Sequence, residues 1–130
     1  MTLEPLLVSS PAIQFHVAVA VATLALGLAQ FALPKGVTLH RVMGWAWVAL
    51  MAAAAASSFW VQTIPGWGRF HPFHLVALAS LLALPLGVFY ARRGRVGAHR
   101  RTMIALFVGG VIVVGLFTLL PGRIMNAVIF

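Results

Sequence analysis

Four long apolar runs alternate with short stretches that hold most of the proline and charge. The first runs from Pro11 to Leu33, between Ser9-Ser10-Pro11 and Pro34-Lys35-Gly36. A hydroxyl residue before proline opens a helix, because the first helical N–H has no intrahelical partner and proline lacks it anyway. Proline and glycine after Leu33 close the helix. The second run covers 39–63, is alanine-rich from Ala52 to Ala56, and ends at the turn Pro65-Gly66-Trp67-Gly68-Arg69. The third covers 72–91 with Pro85 inside it, where the missing N–H predicts a kink or loosened last turns. The fourth covers 98–120 and breaks at Pro121-Gly122-Arg123, leaving an apolar tail to Phe130 expected along the interface. About 20 residues at ~1.5 Å each cover a hydrocarbon core of ~30 Å. The pattern predicts an all-α membrane protein, a four-transmembrane-helix bundle forming one integral domain.

The runs are not independent. Phe15-His16 aligns with Phe73-His74, and the residues that follow stay in register. Leu24-Ala-Leu-Gly-Leu-Ala-Gln-Phe31 falls on Leu82-Ala-Leu-Pro-Leu-Gly-Val-Phe89, and Lys35-Gly36 on Arg93-Gly94. One inserted residue later, His40-Arg41 falls on His99-Arg100. The chain therefore reads as a duplicated two-helix hairpin, with halves at about 11–63 and 72–120. Two spans per half give both halves the same topology, so a pseudo-two-fold axis should lie along the membrane normal. Helices one and three then become diagonal partners, as do two and four. The first run also has features of a secretory leader, with Gly27-Leu28-Ala29 as a small-x-small site. No basic residue precedes it, the run is too long, and its twin is internal, so it reads as a span.

Composition agrees. Hydrophobic residues make up 62% of the chain and charged residues 8%, where a soluble domain carries roughly a quarter charged. Cysteine is absent, which excludes disulfides and thiolate metal sites. The formal charge of +8 comes from nine Lys/Arg against the single acid Glu4. Those bases cluster at the ends of apolar runs, so they point to membrane orientation and not to nucleic acid. Lys35, Arg41, Arg92, Arg93, Arg95, Arg100 and Arg101 share one face; Arg69 and Arg123 lie on the other. The first face is expected in the cytoplasm and both termini outside. Trp60 and Trp67 would mark the outer boundary.

Four of the five histidines obey the repeat. His16 and His74 are expected near the outer ends of helices one and three, His40 and His99 in the first turns of helices two and four. His71 has no twin and belongs to the loop or the helix start. Taken singly, His40 or His99 reads as an interfacial residue. His16 lies inside a span, where ionisable groups are expensive and usually functional. Recurrence at matched depths has no interfacial explanation, and two pairs of imidazoles on diagonal helices suit bis-histidine ligation of haem b, one or two haems in all. Diagonal axes on the order of 12–14 Å apart would leave room for an iron with a ring on either side. Ala12, Ala20, Gly44, Ala77 and Ala98 would admit a flat macrocycle. Arg41, Arg100 and Arg101 inside, with Arg69 or Arg123 outside, would hold propionates, and serve topology equally well. Two stacked haems would carry electrons across the bilayer. A zinc site from His16, His71 and His74 lacks a carboxylate or general base, and no span holds an acid for a proton relay. Gly109-Gly110 and Gly115, with Ala53 and Ser57, read as close-packing sites, and Met43, Met51 and Met103 as apolar fill.

The strings His40-Arg41-Val-Met-Gly44, Ser57-Ser58-Phe59-Trp60, Phe73-His74-Leu75, Ala91-Arg92-Arg93-Gly94, His99-Arg100-Arg101 and Pro121-Gly122-Arg123 resemble an uncharacterised bacterial family. It is catalogued as a predicted membrane protein, domain of unknown function 2306. The resemblance covers nearly the whole chain and implies a bacterial inner membrane location, but no activity. More distantly, the duplicated histidine plan resembles cytochrome b561, in which four helices ligate two b haems. That likeness implies His16 with His74, and His40 with His99, as axial ligands. Flanking helices and an ascorbate or quinol motif are missing from this chain.

The expected function is therefore a haem b-binding transmembrane electron carrier serving a quinone or another redox partner. The alternative is a non-redox accessory subunit of a larger respiratory or photosynthetic membrane complex, or a homo-oligomer, packed through its alanine and glycine faces. A transporter would want a polar path at mid-membrane, and Thr23, Gln30, Ser57, Ser58, Ser80 and Thr118 form none.

Overall fold

The computed structural model describes residues 1–61 and 70–130. A short helix, α1 (Glu4–Leu7), precedes α2 (Pro11–Ala32) and α3 (Thr38–Ser57), which tightens into a 3-10 turn over Ser58–Trp60. Next come α4 (Pro72–Arg92), α5 (Val96–Ala105), a π-helical segment (Leu106–Val113), α6 (Val114–Phe117) and α7 (Ile124–Ile129). Pro11–Ala32, Thr38–Trp60, Pro72–Arg92 and Val96–Phe117 are each long and apolar enough to cross a membrane. No strand occurs among the described residues.

The termini of the spans follow from local chemistry. Ser10 Oγ accepts from the Ile13 N–H at 3.4 Å with Pro11 in the first helical position. At the other end of α2, Lys35 turns back and donates to the carbonyls of Gln30, Phe31 and Leu33 at 2.6, 2.9 and 2.7 Å. A residue read from sequence as a topology charge thus also closes a helix, where the last carbonyls carry partial negative charge. α3 leaves the α path where the Ser57 and Ser58 hydroxyls donate to Ala54 and Ala55 at 3.0 and 2.7 Å. Such back-bonding competes with the helical ladder. The expected helix end at Thr63, the turn at 65–69 and Trp67 lie outside the described residues. α4 continues through Pro85 as one helix. The apolar tail forms α7, which packs on α1, and the Thr2 N–H donates to the Val128 carbonyl at 3.2 Å.

Helix contacts close into a ring. α2 packs on α3, α3 on α4, α4 on α5 and the π segment, and the π segment returns to α2. α2 and α4 are therefore diagonal, as are α3 and the fourth span. At mid-depth Trp47, Met51, Leu84, Leu106 and Phe107 fill the centre. Lipid tails are as apolar as leucine, so close packing and buried hydrogen bonds hold such a bundle together. One such bond runs from Trp47 Nε1–H to the Thr23 carbonyl at 3.1 Å. Trp47→Phe is expected to lower stability by on the order of 1 kcal/mol, read as a lower unfolding midpoint in detergent.

Candidate functional site

Residues three or four apart share one face of a helix. On α2 the stripe His16, Ala20, Thr23, Gly27 contains the helix's buried residues, Thr23 and Gly27. On α3 the stripe His40, Gly44, Trp47, Met51, Ala55 contains the buried Trp47, Met51 and Ala55. His74 itself is buried on α4, in line with Ala77, Ser80, Leu84 and Gly87. His99 leads through Met103 to the buried Leu106 on the fourth span. All four repeat-related histidines thus lie on core-facing stripes, two at each end of the bundle.

At the end away from the basic loops, His16 Nδ1 lies 2.8 Å from Ser57 Oγ. The Ser57 hydroxyl already donates to the Ala54 carbonyl at 3.0 Å, so it accepts from His16 Nδ1–H. A neutral ring in that tautomer keeps a lone pair on Nε2. His74 is set the opposite way. Its Nδ1 accepts the His71 backbone N–H at 3.1 Å, which puts the proton on Nε2, and that buried Nε2 has no hydrogen-bonding partner. The His74 ring stacks on Phe59 at 5.2 Å and 11° and lies 4.2 Å from the His71 ring. His71 occupies the N-cap of α4, with both ring nitrogens buried and unpartnered. Among the described residues, no hydrogen bond or ring contact joins His16 to His74.

Burial holds the His71 imidazole below its usual 6.5, and the charges of His74 and Arg123 act in the same direction. As pH falls through 6.5, the unfolded chain takes up a proton that the native chain resists. The unfolded state then binds more protons, so stability rises with pH up to that value and levels off above it. Thermal melts of the solubilised protein should therefore fall from pH 7.5 to 5.5, and the His71→Asn variant should lose part of that dependence.

At the basic end the geometry differs. His99 Nδ1 lies 2.9 Å from the Gly87 carbonyl, which can only accept, so the proton is on Nδ1 and Nε2 keeps its lone pair. A carbonyl bonded to one ring nitrogen fixes the imidazole's orientation and makes the other a better metal ligand. His40 lies within electrostatic reach of His99 and Lys35, and its Nδ1 is buried without a partner. Gln30 donates to the His40 carbonyl at 2.7 Å and leaves its own Oε1 buried and unpartnered. A side chain at Gly44 would meet the Gln30 amide at 3.2 Å. The space expected there for a macrocycle edge is thus bordered by an amide. Haem iron takes lone-pair nitrogens, so His99 and His16 fit as they stand, and the orphaned Nδ1 leaves His40 uncommitted. His74 does not fit in the arrangement shown; it would have to release the His71 N–H and move its proton.

The arginines divide. Arg41 and Arg100 are exposed, each one residue past a core-facing histidine, and so turned about 100° from its stripe. Arg123 lies within electrostatic reach of His71, at the other end. Arg101 Nε donates to the Gly97 carbonyl at 3.3 Å. Arg69 lies outside the described residues. Among those residues, no group of three or more metal-ligating side chains gathers. Sequence reasoning had placed Ser57 at a helix contact and missed its bond to His16, 41 positions away. It also missed Gln30 and Phe59. Ser57-Ser58-Phe59 is visible as a polar-aromatic interruption of an alanine run, but nothing in the spacing names its partners.

Four apolar spans closed into a ring, with a filled centre and histidines at both ends, define a multi-spanning membrane protein. The family described as a predicted membrane protein (DUF2306) matches residues 13–129, and the chain belongs to it. No curated protein and no solved structure matches the chain.

Proposed function

We propose that this protein binds haem b and carries electrons, and that His40 and His99 would hold the haem at the basic end. The observation that supports this reading is the placement of all four repeat-related histidines on core-facing stripes, where an interfacial histidine has no reason to be. His99 contributes an orientation set by the Gly87 carbonyl, and His40 a ring nitrogen with no other partner. Arg100, one residue past His99, places positive charge at that end for a haem propionate. A bound haem would supply reversible one-electron chemistry, and a quinone or another redox carrier would exchange electrons with it. At the other end His16 is disposed as a ligand while His74 is committed to the start of α4. A second haem there, held by His16 and His74 beside Arg123, would require His74 to change tautomer. The excess of Lys/Arg at the basic end supports a cytoplasmic location for that end in a bacterial inner membrane, with both termini outside.

Reduced-minus-oxidised absorbance of the protein, purified after expression with ample haem, tests the proposal. A low-spin b-type spectrum is expected. A colourless protein with its four helices intact would sink it.

A further inference from the structure

Between α3 and α4, on the lipid-facing side, runs an apolar groove of about 370 Å³ lined by Trp45, Val48, Ala52, Leu81, Leu84, Pro85 and Val88. Its two walls follow the same spacing. On α3 the stripe is Arg41, Trp45, Val48, Ala52; on the antiparallel α4 it is Leu81, Pro85, Val88, Arg92. Steps of four, three and four keep each set on one face. Each wall therefore ends in an arginine at the basic end, and the Arg92 guanidinium lies over the Trp45 ring at 5.7 Å from its centroid. From its arginine to the far end of the groove each wall covers about eleven residues, about 16 Å at ~1.5 Å each and half of a ~30 Å hydrocarbon core, of which the groove itself takes about 10 Å.

We infer that this groove is a binding site for one anionic phospholipid, its phosphate between Arg41 and Arg92 and one acyl chain lying along the groove. Three features select that occupant. The lining carries almost no polar surface, so the polar part of the ligand sits at the mouth. Arg92 lies at the mouth over the Trp45 ring and Arg41 shares the Trp45 face by helical spacing, in a chain whose one acid, Glu4, lies in α1 before the first span, so their counter-charge comes from elsewhere. The depth matches one leaflet, as a chain hanging from a headgroup requires. Basic pockets between transmembrane helices recognise anionic headgroups in this way, and the guanidinium fork matches a phosphate in two places. The inference does not depend on haem.

Native mass spectrometry of the full-length protein in detergent, titrated with phosphatidylglycerol or phosphatidylcholine of identical chains, tests it. The wild type is expected to retain one phosphatidylglycerol at a concentration on the order of tenfold lower than phosphatidylcholine. Arg41→Gln with Arg92→Gln should reduce that preference to about twofold or less, while Arg95→Gln with Arg101→Gln should leave it intact. Val88→Trp, which fills the groove from a half-buried position, should weaken retention of both lipids. Equal retention of the two lipids by the wild type would overturn the inference. So would an equal loss in both arginine pairs, which would mean general surface charge. Inorganic phosphate or a short-chain phosphatidylglycerol binding as well as the long-chain lipid would also overturn it, because the groove would then contribute nothing.

Discussion

His99→Ala is expected to remove the b-type spectrum almost completely, and His40→Ala to do the same, while His74→Asn leaves it in place. The asymmetry follows from the two ends of the bundle. At the basic end the Gly87 carbonyl fixes the His99 proton on Nδ1 and leaves a lone pair on Nε2, and His40 has a buried nitrogen with no partner. Low-spin bis-histidine haem requires both rings, so loss of either one destroys the signature. At the other end His74 is held by the His71 N–H in the tautomer that offers a donor. Absorbance of each purified variant checks the prediction, with far-ultraviolet circular dichroism to establish that its helices remain. A spectrum lost in His74→Asn and kept in His99→Ala would move the haem to the opposite end. One halved by each substitution would mean two haems.

The largest structural effect is expected at Gly27. A Cβ there would lie 2.5 and 2.7 Å from ring carbons of Phe107 and 2.9 Å from Trp47 Nε1. Both neighbours are rigid rings. Trp47 is further tied to the Thr23 carbonyl, and Phe107 packs edge-on against Phe31 with centroids 5.0 Å apart. Neither can yield without disturbing the core, so Gly27→Ala should destabilise by about 3 kcal/mol, the upper end of overpacking costs. Gly87 and Gly110 look equally crowded, since an added Cβ would meet the Met103 and Met51 methyls. Those are the far ends of flexible thioether chains that can rotate away. Gly87→Ala and Gly110→Ala should therefore cost about 1 kcal/mol or less. Unfolding midpoints of the three variants, measured in one detergent, give the comparison; equal losses would refute the distinction between rigid and flexible neighbours.

The spans were legible because a bilayer leaves so few choices. Each backbone polar group must find an internal partner, so a long apolar run between prolines and glycines has one structural solution. Local chemistry was legible too: Ser10-Pro11 starts a helix, and Gly36, Gly94 and Gly122 take the positive φ angles of 80°, 66° and 85° that end one. The duplicated Phe-His and His-Arg pairs marked the four histidines that turn out to lie on core-facing stripes. Boundaries were less legible where side chains compete with the backbone, as at Ser57 and Ser58.

What the sequence determined by itself was the membrane class, the number of spans and which histidines share the repeat, because all three rest on periodicity and on the cost of burying unpaired polar groups. What only the tertiary structure decided was the state of each histidine. Ser57 and the Gly87 carbonyl fix two rings with an available lone pair, and the His71 N–H fixes a third as a donor. Such partners lie three to 41 positions away. A proton's place on a ring is set by the neighbour that packing brings to it, and neither the repeat nor the hydrophobic pattern encodes that neighbour.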